Sequence, residues 1–367
     1  MTDPRPTTPR LAAATRIALA DPRDLLNRLC DHLAEHVPVE RLGDGALFRA
    51  DYGTARVEIA GDALTVALES GDDTGLSFLK LIVAEHVLEF AGGQEPAIRW
   101  TGDGRAAGEP LPYFREMRVA SVTHVTPRMR RIVLSGEDLG RFATGGLHVR
   151  LLFPPPGPAA PQWPVCGEDG RPQWPQGAAR PAARVYTIRH IDVRKGEVAI
   201  DMMLHGDGHG HDAPGAGFAR HARPGDIVGM TGPGGSVIGE ARRYIMLGDE
   251  TALPAIARQL ETLPAHAEVA AFVEVADAAE EQPLTSAARL DLRWLHRDGT
   301  GLLERALRDH PWLGDGGEPP FIWAGCEHAQ ARAIRRFALK EAGLTHDGCH
   351  AFAYWRRGAA GDDARED

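Results

Sequence analysis

The stretch "RRYIMLGDETALPAIARQLETL", Arg242 to Leu263, decides the fold. It reads as a buried strand, a sharp turn at Gly248–Thr251 and a helix. A short, continuous apolar run closed by glycine marks a strand covered on both faces. Working outward, the next segments repeat the alternation. "AEVAAFVEVAD" and "LDLRWLHRD" are strands, "LLERALRDH" is a helix, "PFIWAGCEHAQARAIRRFALKEAGL" is strand then helix, and "HAFAYWRRG" is a last strand. Strands alternating with helices predict a doubly wound parallel sheet, with ligands at the carboxyl ends of the strands, where "LGDETALP" and "AGCEHA" fall.

Upstream the pattern is different. "REMRVASVTHV", "RMRRIVLSG", "LHVRLLF", "ARVYTIRHI", "GEVAIDMMLHG" and "GDIVGMTGP" are six short strands separated by turn residues, predicting an antiparallel barrel or sandwich. Residues 154–183, rich in proline and glycine, interrupt them and read as a long surface loop. Before a linker at 101–112 lies a small α+β unit. Asp21 caps a helix with Pro22 at its first position. "ARVEIAGDALTVALES" is a hairpin turning at Gly61-Asp62, and a second helix runs from Gly75 to a glycine stop. The expected domains are therefore 10–102 (α+β), 113–238 (β-barrel) and 241–358 (α/β).

Bulk properties exclude several classes. The formal charge is −10, from 41 Lys+Arg against 51 Asp+Glu, which argues against nucleic acid or an anionic membrane as the main partner. Four cysteines (Cys30, Cys166, Cys326, Cys349) form no C-x-x-C pair and no secreted disulfide framework. The N-terminus lacks a signal-peptide pattern and no apolar run spans a membrane, so a reducing cytoplasm is expected. His32, His36 and His86 read as helix histidines.

"RVYTIR", Arg184 to Arg189, is the strongest local signal. Arg184 can meet a pyrophosphate, Tyr186 a ring or ribityl chain, and Thr187 a reactive ring edge. An amphipathic strand with cross-strand charge pairs is the competing reading. The ordered set "RVYTIR", "IDMMLHG", "APGAGFARHARPGDIVGMTGPGG", "GDETALPAI" and "YWRRG" resembles the siderophore-interacting protein family, flavin-dependent ferric-siderophore reductases of ferredoxin-NADP reductase-like layout. "TPRMRRIVLSG", "RWLHR" and "WAGCEHAQARAIRR" resemble it too, so the likeness covers about residues 113–358. The first hundred residues look like an accessory domain of unassigned role sometimes fused to these reductases.

The resemblance implies FAD on the barrel and NADPH or NADH on the sheet. Arg184, Tyr186 and Thr187 match the family's R-x-Y-T motif, with Thr187 placed at the reacting ring, and Arg189 matches the arginine that follows. Met203, Leu204 and His205 match the strand end beside the flavin. Pro214, Gly215, Ala216 and Gly217 stand where a short helix meets the pyrophosphate. This sequence departs there: Ala213 replaces a glycine, Ala216 a serine and Phe218 a tryptophan. Asp249, Glu250, Thr251 and Ala252 match the nicotinamide-side turn. Tyr354 or Trp355 would lie near the flavin, against core packing as the alternative. Cys326 faces the ring or is a buried structural thiol.

Glu274 stands where an acid bonds an adenosine ribose, whereas Arg293 and Arg297 would favour a 2′-phosphate. Arg128, Arg130 and Arg131 are candidates for a basic rim meeting an anionic ferric chelate, or are solvated surface. "HGDGHGHDAP" (205–214) reads as a flavin-side loop, and no resident metal is expected at His205, His209 or His211. The expected activity is NAD(P)H-dependent reduction of a ferric siderophore by a monomer or weak homo-oligomer. Another flavin reductase of this layout and a non-catalytic siderophore-binding protein are the alternatives.

Overall fold

The computed structural model describes residues 10–157, 159–204, 214–235, 238–299 and 301–358. It divides into two compact units. One comprises residues up to Phe114 together with Gln162–Arg180, and the other begins at Arg115, omits that insertion and resumes at Pro181.

In the first unit, strands Leu11–Ala18 (β1), Val39–Leu42 (β2), Gly45–Ala50 (β3), Gly53–Ile59 (β4), Ala63–Ser70 (β5) and Thr101–Gly102 (β6) form one sheet in the order β2-β3-β4-β5-β1-β6. Every pairing is antiparallel. Helices Pro22–Leu33 (α1) and Asp73–Phe90 (α2) pack with it. The Asp21 carboxylate accepts the Asp24 N–H at 2.9 Å, the expected N-cap. Gly61, at φ 67°, turns the β4–β5 hairpin with Ile59 opposite Leu64. Ile17, Leu26, Leu29, Val66, Leu68, Leu76 and Val87 fill the core.

The strands at 11–18 and 39–50 are additions to the sequence-based expectation. β1 is Ala-rich, and only its alternation (Ala13, Thr15 and Ile17 inward) marks it. The insertion is more ordered than a surface loop. Val165–Cys166 (β10) pairs with Pro172–Gln173 (β11), and Cys166 exchanges backbone hydrogen bonds with Gly108 and Glu109. Its side chain joins Leu111 and Tyr113 in a small core.

The second unit opens with the expected six-stranded barrel. Phe114–Thr126 (β7), Met129–Ser135 (β8), His148–Phe153 (β9), Ala182–Asp192 (β12), Glu197–Met203 (β13) and Ile227–Gly234 (β14) close in the order β12-β13-β8-β7-β14-β9. Met117, Ile132, Leu134, Leu151, Ile200 and Met230 are among its fully buried residues. Helix Pro214–His221 (α3) packs on this core through Ala219.

The parallel sheet follows. Arg243–Asp249 (β15), Glu268–Val275 (β16), Arg289–His296 (β17), Phe321–Glu327 (β18) and Cys349–Trp355 (β19) lie in the order β17-β16-β15-β18-β19. Helices Leu253–Leu260 (α4), Leu302–Arg308 (α5) and His328–Arg336 (α6) cover it. Strand order reverses between β15 and β18, the switch point at which such sheets bind ligands.

Candidate functional site

At the switch point, Gly248 and Gly325 stand opposite each other on β15 and β18. Both are needed for close approach. A Cβ on Gly325 would lie 2.9 Å from Ala252 Cβ and 2.9 Å from Tyr354 Cε1, and one on Gly248 would lie 3.0 Å from Ala252 Cβ. The bare backbone thus lets the turn and the end of β19 close over the strand ends.

Asp249 is 4% exposed. Its Oδ1 accepts the Thr251 N–H at 2.9 Å and the Thr251 hydroxyl at 2.5 Å, and its Oδ2 accepts the Trp355 indole N–H at 2.7 Å. Burial pushes its carboxyl up to about 6, against the lowering effect of those donors. Trp355 therefore spends its polar edge on the β15 turn. Tyr354 reaches the barrel, where its hydroxyl shares a 2.8 Å hydrogen bond with His148 Nε2.

Beside this turn, Arg297 bridges two buried acids. Its Nε donates to Glu274 at 2.8 Å and its Nη2 to Glu250 at 2.6 Å. Glu250 and Glu274 are 4% and 3% exposed, and Glu274 Oε2 is buried without a hydrogen-bond partner. Arg297 is thus committed to neutralising carboxylates, which corrects its reading as a 2′-phosphate ligand. Arg293 is exposed and pairs with Asp291 at 2.8 Å. Cys326 is fully buried in the core behind the sheet, and burial raises its thiol pKa well above the ordinary value. That is the setting of a buried structural thiol.

On the barrel, β12 carries Arg184 and Tyr186, both half-buried, and Thr187, which is 4% exposed. The Arg184 guanidinium donates to the carbonyl of neighbouring Ala183 at 2.7 Å. Tyr186 closes on α3 so tightly that a Cβ at Gly215 would sit 2.0 Å from its hydroxyl oxygen. Phe153 packs against both Tyr186 and Phe218. Ala216 and Gly217 share the first turn of α3 with Pro214 and Gly215. Met203 ends β13, and Leu204 is held by its N–H to the Arg128 carbonyl at 2.7 Å. Thr187 pairs across the strands with His148, so the two side chains share a face and lead to Tyr354.

Several expected residues do other work. Arg189 lies at a bulge in β12 and forms a bidentate pair with Glu261 at the end of α4 (2.7 and 3.1 Å). The structure therefore does not bring it together with Arg184 and Tyr186. Arg131 forks onto Asp201 at 2.6 and 2.7 Å, and Arg130 donates to the Ala219 and Arg220 carbonyls at the end of α3. Of the expected basic rim, only Arg128 remains exposed. The other two stabilise the barrel because their strand positions face buried acceptors. His205 and the rest of 205–213, including His209, His211 and Ala213, lie outside the described residues.

Sequence reasoning missed His148, Glu261 and Glu280. Glu280, 2% exposed, accepts from the Thr126 hydroxyl at 2.5 Å and the Arg128 N–H at 3.0 Å, joining the sheet to the barrel. The only local sign of His148 is a histidine that shares the polar face of β9 with Arg150, on a strand whose other residues are apolar.

Comparison with known proteins then supplies a family. Residues 241–358 match the model described as siderophore-interacting protein, and 118–237 match the siderophore-interacting FAD-binding domain. The ferric vibriobactin reductase of Vibrio cholerae is 31% identical over 253 residues, 67% of this chain and 90% of that protein. The chain belongs to the siderophore-interacting protein family. It is also 33% identical to the NADPH-dependent ferric-chelate reductase of Escherichia coli, over 66% of this chain and 92% of the relative. Among solved structures, a siderophore utilization protein from T. fusca superposes with a TM-score of 0.56 at 38% identity, covering 68% of this chain and 94% of that one. This family member carries in addition an N-terminal segment, 14–101, that matches a model described as an uncharacterized protein conserved in bacteria (DUF2218). No helix of the described residues is long and apolar enough to cross a membrane.

Proposed function

We propose that this family member is an FAD-dependent, NAD(P)H-consuming reductase of ferric siderophores, releasing Fe(II) for iron assimilation. One observation carries the reading. The relatives named as ferric-chelate and ferric-vibriobactin reductases match over 90% or more of their own length, across both the FAD-binding and siderophore-interacting segments.

The residues present fit an FAD. Arg184 offers a guanidinium whose hydrogen bond goes to its own strand neighbour. The first N–H groups of a helix lack intrahelical partners, so Gly215, Ala216 and Gly217 suit a pyrophosphate. Tyr186 is held against Gly215, beside that same turn. Thr187 would approach the flavin ring edge, and Met203 and Leu204 would flank it. The nicotinamide would enter at the switch point, over Asp249, Glu250, Thr251 and Ala252, with Tyr354 and Trp355 closing the end of β19. When bound, the flavin supplies the exchange between hydride and single electrons that a ferric substrate requires. Oxygen-donor chelators hold Fe(III) far more tightly than Fe(II), so reduction releases the metal. Four cysteines buried as free thiols suit a reducing, cytoplasmic compartment.

The test is reconstitution with FAD, followed by oxidation of NADH and NADPH in the presence of ferric chelates and a ferrous trap. Flavin-dependent Fe(II) formation supports the reading. Failure to bind FAD, or flavin reduction without Fe(II) release from any ferric siderophore, defeats it.

A further inference from the structure

Hydride-driven reduction of iron leaves a proton over. NAD(P)H gives up two electrons and one hydrogen nucleus, and each Fe(III) takes one electron, so reducing a pair of ferric ions releases one H⁺. On the reductase reading above, on which this inference rests, that proton departs at the flavin edge beside Thr187. Thr187 is only 4% exposed, so the proton needs a carrier to reach bulk water.

The side chain opposite Thr187 is His148. The two are paired across β12 and β9, and directly opposed residues hold their Cβ atoms about 4.5–5.5 Å apart. His148 Nε2 shares its 2.8 Å hydrogen bond with the Tyr354 hydroxyl. Three features of the chain build this contact. Tyr354 is the extra residue of a bulge in β19, between the pairs Cys326–Ala353 and Glu327–Trp355. Bulges re-aim the side chains they carry. Its ring packs over Gly325, where a Cβ would lie 2.9 Å from Cε1. Gly235, at φ 85°, stands against the other edge of the imidazole, where any Cβ would collide with Nδ1. Gly235 is exposed, so that edge lies toward solvent. Glu280 on Thr126 and Arg189 on Glu261 also tether barrel to sheet, but neither sets a titratable ring opposite Thr187.

An imidazole exchanges protons readily near neutral pH. The groups facing this one are few among the described residues. β12 brings Thr187, β14 brings Gly234, β19 brings Tyr354, and β9 itself brings Arg150 two residues on. The Arg150 cation opposes a lasting positive charge on the ring and so favours onward release.

We propose that His148 is the proton acceptor of the reaction, reached through Tyr354. As the proton leaves the flavin edge by way of the Thr187 hydroxyl, Tyr354 Oη takes up a proton and gives its own to Nε2. The imidazolium then returns a proton to water from Nδ1, on the Gly235 side, which restores the starting state.

The test uses the full chain loaded with FAD, photoreduced without air and mixed with ferricyanide by stopped flow. Neither siderophore nor nicotinamide is needed. Oxidation of the wild-type chain should slow from about pH 8 to about pH 5.5, as the imidazole becomes protonated and ceases to accept. His148→Gln should be slower by about tenfold or more and should lose that pH dependence. Its FAD dissociation constant, from flavin fluorescence, should stay within about twofold of the wild type. Tyr354→Phe, which breaks the relay, should slow oxidation likewise. A wild-type rate and pH profile in His148→Gln overturns the proposal, as does a loss of FAD affinity that accounts for the slower rate. Should His148→Gln fail to fold by circular dichroism, an unchanged rate in Tyr354→Phe overturns it alone. A wild-type chain that binds no FAD defeats the reductase reading, and this inference with it.

Discussion

Arg297 spends its guanidinium on Glu250 and Glu274, so the strand ends present more acid than base. An acid at this position suits a ribose 2′-hydroxyl and opposes a 2′-phosphate. NADH should therefore exceed NADPH in kcat/KM by on the order of tenfold, even though one relative is named for NADPH. Glu274→Gln should narrow that ratio; steady-state kinetics with both nucleotides measures it. Asp249 makes a separate prediction. Its carboxyl is pushed up to about 6, so between about pH 4 and pH 6 the folded chain holds a proton that the unfolded chain has lost. Stability must then fall as pH rises through that window, by up to about 3 kcal/mol for a gap of about two pH units. Urea unfolding from pH 4 to 6.5 should show a shallower decline in Asp249→Asn. Glu274 was legible as a strand-end acid. Its pairing was not, because Arg297 lies 23 residues from Glu274 and 47 from Glu250, and sheet register alone brings them together.

Helix α3 is held from both ends. Tyr186 closes on Gly215, and Arg130 holds the carbonyls at the other end. Gly215→Ala should push the helix off the barrel and weaken FAD binding by about tenfold or more, measured by flavin fluorescence titration. Adding Tyr186→Phe, which removes the colliding hydroxyl, should recover part of that loss. Strands β8 and β13 are joined in the same specific way by Arg131 and Asp201, whose side chain is 2% exposed. Arg131→Ala strands a buried carboxylate and should cost about 3 kcal/mol in chemical unfolding. All six barrel strands were readable as short runs separated by turn residues, although alternation is not the common sign: β13 is buried at every position from Val198 to Met202. β1 escaped because alanine packs inward without announcing it. The roles of Arg130 and Arg131 escaped because a basic triplet looks the same in sequence whether solvated or locked.

Within the second unit, barrel and sheet are joined by Glu280 on Thr126 and Arg128, Arg189 on Glu261, Arg258 on the Ile188 carbonyl, and Tyr354 on His148. Glu280→Ala leaves a buried hydroxyl and an N–H without their acceptor. Scanning calorimetry should then resolve the unit's single transition into two, the barrel melting apart from the sheet. The layout of barrel then parallel sheet was legible because the hydrophobic period changes near residue 240. The grouping of 162–180 was not, since nothing in a Pro- and Gly-rich stretch states which surface it covers.

That grouping bears on how this chain can be taken apart. The polypeptide passes between the two units at three points, near residues 114, 161 and 180. The N-terminal sheet is therefore not a bead at the end of a string. A protease nicking only near residue 114 leaves it holding a loop of the barrel, and both fragments should travel together under native conditions. Gene fusion at one joint could not transplant it whole. Any reductase acquiring this sheet must also acquire the excursion between β9 and β12, so the two should be gained or lost as a pair.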